Sequence, residues 1–482
     1  MLGNRKQRWL SLLLAAVLVG ITACSSKNGN DETKPSASSS QPTEETSPSA
    51  SDASPSASEA SESPKEVVKL KFMYWGSTDE KKAMENMIKA FNDSHPYIQV
   101  TGEHVPGDYN TKMNTLMAAN ELPDVAYLGD GLTNQWGSEG RLLDFSQYYG
   151  QYPELQNKLK ASYLYTEPGK AVANFTALEV MVLYYNKDIF AEEGIPLPPA
   201  DPAKAWTWDE FVSVAKKLTK DKKGKHPDDP GFDAKNIDTY GFSFGTDRGT
   251  YGPLLESNGA GILDESGMNY ALNKPEAVEV FQKLQDLIYV NHVSPNLIQQ
   301  QNMPDNHVRL QTRKVAMVLD GTWALLDLTN NTKLHYGIGV LPKLKEPKTV
   351  ILAGTTVVFN TTKHPAEALE FYLYHNNPEQ VDLYKTGLWM PTEEKYYTDE
   401  AAIKLWTDNP AHPPEFLQAG IEYTKGYAVK SPSTKLKNWP EINSKLAPGL
   451  DLIWTNKKTA QAALDELQAQ IQPLIKGKYP DE

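Results

Sequence analysis

From residue 65 onward, apolar and polar residues fall into short blocks whose period switches between two and about 3.6, predicting strands and helices in turn. Val67 to Tyr74 reads as a strand. Glu80 to Asn92 reads as a helix with Met84, Met87, Ile88 and Phe91 on one face. Ile98 to Glu103 alternates as a second strand, Tyr109 to Asn120 is helical, and Val125 to Leu128 is a short buried strand after Pro123-Asp124. A β-α-β-α-β order predicts a doubly wound α/β fold that binds ligands at the carboxyl ends of its strands. Further strands are expected at Val180 to Tyr185, Tyr240 to Phe244, Val315 to Leu319, Tyr336 to Val340 and Thr356 to Phe359. Helices are expected at Trp208 to Thr219, Pro275 to Val290, Pro365 to His375, Pro378 to Lys385 and Thr459 to Ile475. Thr207 and Glu210 have the spacing of a capping box for the first of these helices.

The start of the chain follows another pattern. Arg5, Lys6 and Arg8 precede an apolar run from Leu10 to Ile21, too short to span a bilayer, which needs ~20 residues. Small residues then lead into Cys24, the only cysteine. A basic start, a short apolar run and a small-residue cleavage site read as an export signal. The cysteine at the cleavage point makes residues 1–23 resemble a bacterial lipoprotein signal peptide, which implies that Cys24 becomes the lipidated first residue (with palmitate among its acyl groups). Residues 24–64 are Ser, Pro, Ala and acid-rich, with no aromatic or large aliphatic side chain and seven acids against two lysines. Such a segment cannot bury enough apolar surface to order itself, and it reads as an extended tether. An anchor of this kind suits the outer face of a cell membrane without a periplasm, so a Gram-positive surface is the expected setting.

About 418 residues remain, more than one compact core accommodates, so two lobes are expected. With no second cysteine there are no disulfides, and large apolar cores must hold the lobes together. No later apolar run is long enough to cross a membrane. The whole chain carries −13, and about −11 of this lies after the tether. An acidic body argues against nucleic acid or anionic lipid as partner and is compatible with a neutral or cationic ligand. The only arginines after the signal are Arg141, Arg248, Arg309 and Arg313, which disfavours a strongly anionic ligand.

Several stretches, in this order and spacing, carry a wider resemblance. They are Tyr74-Trp75-Gly76, Leu122-Pro123-Asp124-Val125, Ala177-Leu178-Glu179, Leu183-Tyr184-Tyr185-Asn186-Lys187-Asp188 and Trp206-Thr207-Trp208-Asp209-Glu210-Phe211. Lys314 to Ala324, Tyr336-Gly337-Ile338-Gly339, Lys363 to Ala368 and Gly387-Leu388-Trp389-Met390-Pro391 complete the set. Together they cover nearly all of 65–482 and resemble the extracellular solute-binding proteins of the maltose-binding type (family 1). The resemblance implies a two-lobe, type II-like periplasmic-binding-protein fold, each lobe a doubly wound sheet, with a hinge between lobes. It places residues 65–180 plus about 336–376 in lobe 1, and 181–335 plus about 377–482 in lobe 2. It also implies a monomer that captures a carbohydrate, expected to be an oligosaccharide, and delivers it to the permease subunits of an ABC importer. Many relatives carry a Gly-Gly pair before the late strand. Here the stretch is Ala353-Gly354-Thr355-Thr356, which is expected to reshape that wall of the cleft.

A sugar offers a C–H-rich face and a rim of hydroxyls. It calls for aromatic platforms, each adding roughly 0.5–1.5 kcal/mol beyond burial, and for polar groups adding about 1 kcal/mol per net hydrogen bond. Trp75, at a strand's carboxyl end, is expected to line the cleft. Asp130 lies in the loop after the Pro-Asp-Val strand, between Gly129 and Gly131. Glu179 stands in an otherwise apolar strand, where an unsatisfied acid is out of place; the resemblance makes it a ligand contact near the lobe crossing. The family commonly stacks an aromatic on sugar at the position of Trp323. Tyr251 aligns loosely with a second-lobe stacking aromatic, Trp136, Trp389 and Trp439 are candidate wall aromatics, and Thr355 is a candidate hydrogen-bond donor. Trp206 and Trp208 are expected to pack, and Tyr184-Tyr185-Asn186 to belong to the hinge.

The rival readings are a surface carbohydrate-active enzyme and a binder of another solute. No Gly-x-Ser-x-Gly elbow, His-Glu-x-x-His motif or phosphate-binding glycine loop is present, and the nine histidines are scattered. No catalytic residue, cofactor or metal is therefore expected. Asp228-Asp229-Pro230-Gly231-Phe232-Asp233 is acid-rich but lacks the EF-hand spacing for calcium, and it reads as a solvated loop.

Overall fold

The computed structural model describes residues 66–481 apart from Thr332. The predicted signal peptide, Cys24 and the tether lie outside the described residues.

Two central sheets organise the protein. The first has the order Gly354–Val358, Val125–Gly129, Val68–Tyr74, Ile98–His104. Val68–Tyr74 runs parallel to both its neighbours, and Gly354–Val358 adds an antiparallel edge. The inner strands are covered on both faces: Phe72, Val125, Leu128, Val357 and Val358 are fully buried, the adjacent Val357 and Val358 on opposite sides. Each such side chain stabilises the fold by about 1.5–3 kcal/mol relative to exposure. Helix Thr78–Ser94 lays Met84, Met87, Ile88 and Phe91 on the sheet, the face its periodicity predicts. Ser77 caps it, and Glu80 reaches back to the Ser77 backbone N–H, closing a capping box.

The second sheet has the order Tyr336–Gly339, Met181–Asn186, Val315–Gly321, Ile237–Ser243, Lys220–Asp221. Only Ile237–Ser243 and Val315–Gly321 pair in parallel, so this sheet is mixed rather than purely doubly wound. Tyr336–Gly339 pairs antiparallel with Met181–Asn186. The expected return to the first lobe near 336 is therefore corrected: the chain rejoins the first sheet at Gly354. Nor is the segment after 377 confined to the second lobe, because Trp389 packs its ring against Tyr127 and His375 of the first.

Two helix predictions also shift. Pro378 to Lys385 forms turns, because the Asn377 side chain accepts the Glu379 N–H and competes with a helical start. The last helix is α-helical over Ala460–Ile471 and tightens to a 3-10 turn at Gln472–Leu474, where Pro473 has no N–H to continue it. Thr207 and Glu210 form the expected capping box at Trp208–Leu218.

Candidate functional site

A cavity of about 300 Å³ opens where the carboxyl ends of the first sheet's strands meet the second sheet. Trp75 follows the first strand directly. The rings of Tyr109 and Tyr127 meet it edge-on at 5.0 and 5.1 Å. Its other side lies on Gly354, where a Cβ would come within 2.6 Å of the indole. A side chain at position 354 would therefore displace Trp75. Trp323 folds back over Gly321, where a Cβ would meet its ring at 2.1 Å. Trp389 closes a third side, wedged between His375 at 4.8 Å and Tyr384 at 5.5 Å. Tyr109 is fixed in turn, its hydroxyl 2.9 Å from the carbonyl oxygens of Met73 and Tyr127.

Glu179 enters the cavity from the crossing between the sheets. The backbone there is held on every side: Leu178 N–H donates to Met390 O, Leu352 N–H to Glu179 O, and Thr322 N–H to Val180 O. Thr176 and Thr356 hydroxyls share a 2.6 Å bond beside it. The Glu179 residue is only 9% exposed. Among the described residues, no donor or cation is paired with its carboxylate. Burial, reinforced by the charge of Glu80, pushes its pKa well above the usual carboxylate range. Glu80, the capping-box residue, lines the same cavity and is pushed up to about 7, chiefly by burial, with the Ser77 N–H opposing and Asp327 adding. An outer chamber of about 690 Å³ continues past Trp75, Glu80 and Trp323 to Asp305, His307, Asp320 and Asp327. Burial also raises the pKa values of Asp320 and Asp327.

Asp130 behaves differently. It is 1% exposed, and one carboxylate oxygen accepts hydrogen bonds from Ser431 (2.8 Å), Ser433 (2.6 Å) and Thr434 (2.6 Å). The other faces Arg248 at 3.4 Å and its neighbour's N–H, Gly131, at 2.8 Å. Burial alone would raise its pKa, but Arg248 and the three hydroxyls outweigh burial and lower it. Asp130 therefore clasps the first sheet's loop to the C-terminal segment and does not line the cavity. Arg248 does line it, and its Nε is buried without a partner among the described residues.

The other sequence candidates divide cleanly. Trp75, Glu179, Trp323 and Trp389 come together in the cavity. Trp136 is 1% exposed and packs on Phe359 in the core. Tyr251 is buried against Phe281. Trp439 belongs to the second core and lies across Gly131. The Thr355 hydroxyl is spent on Thr133, at 2.5 Å, and Leu128 O. These four, with Asp130, are corrected from ligand-facing to structural positions. Sequence reading missed Glu80, Tyr127, Met84 and Arg248. The Ser77-to-Glu80 spacing of a capping box, just after the strand that ends in Trp75, is a signal that would have found Glu80. The acid-rich loop near Asp228 is organised from within: Asp221 accepts the backbone N–H groups of Lys223, Lys225 and Asp233. Among the described residues no group of three or more His, Cys, Asp or Glu is placed to hold a metal.

Two sheets joined by crossings, with an aromatic and acidic cavity between them, define a solute-binding architecture. The chain belongs to the bacterial extracellular solute-binding protein family, whose pattern matches residues 75–382. Its members are extracellular or periplasmic binding proteins. Among relatives, the sn-glycerol-3-phosphate-binding periplasmic protein UgpB of Agrobacterium fabrum is 25% identical over 405 residues, 80% of this chain and 87% of that one. The arabinooligosaccharide-binding protein of Halalkalibacterium halodurans is 25% identical over 311 residues, 62% of this chain and 65% of that one. Of solved structures, the ABC substrate-binding protein Lmo0181 from Listeria monocytogenes, in complex with cycloalternan, aligns with a TM-score of 0.73 at 22% identity, covering 85% of this chain and 99% of that one. Maltose-bound MalE3 of T. maritima aligns with a TM-score of 0.70 at 20% identity, covering 85% and 100%.

Proposed function

We propose that this protein captures a carbohydrate, an oligosaccharide in preference to a monosaccharide, and hands it to the permease subunits of an ABC importer. The observation that carries the reading is the cavity itself. Trp75, Trp323 and Trp389 bring three indoles to the lining around a buried acid, the combination a pyranose face and its hydroxyl rim require. The adjoining outer chamber gives room for further sugar units. Relatives and structural neighbours named for arabinooligosaccharide, maltose and cycloalternan support the same class of ligand. Relatives named for sn-glycerol-3-phosphate raise a phosphate ester as the other candidate. Glu179, unpaired among the described residues, Glu80 beside it, and an Arg248 whose charge, though not its Nε–H, is matched by Asp130 make this cavity a poor phosphate site.

In this reading, a ligand touching both sheets' loops favours a closed cleft through its differential affinity, and the permease recognises that shape. The protein binds its ligand and does not turn it over. Cys24 carries lipid, and the tether holds the binding unit at the outer face of a Gram-positive membrane as a monomer. A thermal-shift panel of mono- and oligosaccharides, with sn-glycerol-3-phosphate alongside, tests the assignment. A ligand at 100 times its Kd adds ~2.7 kcal/mol of stability and raises Tm. A shift with sn-glycerol-3-phosphate and with no carbohydrate would overturn it.

A further inference from the structure

The cavity holds two polar groups that the protein itself leaves unanswered, and they have opposite signs. Glu179 is an acceptor with no donor or cation among the described residues, although it is 9% exposed. A buried carboxylate of this kind is normally paired or hydrogen-bonded. Its ionisable neighbour across the cavity is Glu80, which worsens its position, since each charge raises the cost of the other. Glu80 uses one oxygen on the Ser77 N–H. Beyond it lie Asp327, Asp320 and Asp305 in the outer chamber, with Arg309 and His307 as the nearby basic groups. Arg309 spends its guanidinium on the Pro304 carbonyl and the Ser243 hydroxyl. Arg248 also lines the cavity; its Nε–H is buried with no acceptor among the described residues, while its positive charge is balanced by Asp130 at 3.4 Å. The aromatic walls are compatible with this polarity, because indole faces attract cations as well as C–H groups.

A neutral sugar would use the rings, the Arg248 donor and hydroxyl hydrogen bonds to the acids, but would bring no positive charge to set against Glu179 and Glu80. A ligand that answers every feature has a hydroxyl oxygen to accept from Arg248 and, within the same ring system, a cation to sit against Glu179 and Glu80. We propose that the solute is a saccharide bearing a free, protonated amine, with its ammonium bound by Glu179 and Glu80 and its hydroxyls directed to Arg248. This rests on the carbohydrate reading of the cavity and narrows it to a charge class.

The test compares matched sugars at about pH 7.5. Glucosamine, galactosamine and glucosamine oligomers of two to four units are each measured by thermal shift and calorimetry. Each is set beside its N-acetylated form and its plain hydroxyl counterpart (glucose, galactose and the cello-oligosaccharides). At least one free-amine sugar is expected to bind 10-fold or more tightly than both of its counterparts. Glu179→Gln is expected to erase that preference, bringing the free-amine sugar down to the affinity of its neutral counterparts. A neutral or acetylated sugar that binds as well as the amine in every pair overturns the amine assignment and leaves the carbohydrate reading standing. An amine preference that survives Glu179→Gln overturns the role given to Glu179. No shift with any of these sugars overturns the amine assignment; no shift with any member of the wider saccharide panel overturns the carbohydrate reading with it.

Discussion

Asp130 and Glu179 are both acids buried near the join of the two sheets, and the protein treats them in opposite ways. Asp130 is met by three hydroxyls, one backbone N–H and a guanidinium. Glu179 is met by none among the described residues, and the charge of another acid, Glu80, acts on it. The fold therefore lowers one pKa and raises the other although both are buried. Burial alone does not mark a binding residue. A carboxylate whose partners all come from the chain is part of the scaffold, whereas one that opens on a cavity with no partner from the chain is poised for something from outside. Arg248 joins the two, since it pairs with Asp130 and also lines the cavity that Glu179 enters.

The contrast can be broken at several points. The largest effects are expected from two buried positions: Asp130→Ala strands Arg248 and three buried hydroxyls and should cost about 3–5 kcal/mol in urea unfolding. Trp136→Ala, which empties a core site, should cost about 3–5 kcal/mol. The folded fraction of either variant should bind ligand with near-native affinity. Trp323→Ala should do the reverse, losing about 30- to 100-fold in affinity with Tm little changed, as expected for a wall aromatic that also rests on Gly321. A pH effect comes next. The Glu80 pKa is raised to about 7 by burial and by Asp327, with Glu179 and Tyr127 also facing it and the Ser77 N–H opposing. A carboxyl raised above its unfolded value contributes stability that is full below about pH 4.5 and is lost as pH rises through about 7. The ligand-free protein should therefore unfold at lower urea at about pH 8 than at about pH 5, and Glu80→Gln should flatten that slope. The smallest expected effect is from Glu179→Gln without ligand: a slight rise in Tm at about pH 8, because a charge with no partner has been removed.

Much of this was legible in the sequence. The strands of the first sheet were readable as short apolar runs, and helix Thr78–Ser94 by the single apolar face of Met84, Met87, Ile88 and Phe91. Trp75 was readable from its place at a strand's carboxyl end before Gly76, and Glu179 as an acid in an apolar strand, while Trp323 was readable through the family resemblance. The sheet to which Tyr336–Gly339 belongs was not readable, since a four-residue apolar strand carries no mark of its antiparallel partner. Trp136, Trp439, Tyr251 and Thr355 were misplaced for a related reason. Composition shows that a ring or hydroxyl is present, but only the packing shows whether Phe359, Gly131, Phe281 or Thr133 already occupies it. Asp130 and Glu179 are indistinguishable as letters, and what separates them is supplied by residues some 300 positions away, at Ser431, Ser433 and Thr434.

The most direct test sets the two acids side by side. Titration calorimetry with the tightest saccharide from the panel, on Glu179→Gln and Asp130→Asn, should show the first losing 10-fold or more in affinity while unfolding at the wild-type urea concentration or above. The second should keep its affinity and unfold early. Full affinity in Glu179→Gln, together with lost affinity in a stably folded Asp130→Asn, would contradict the account.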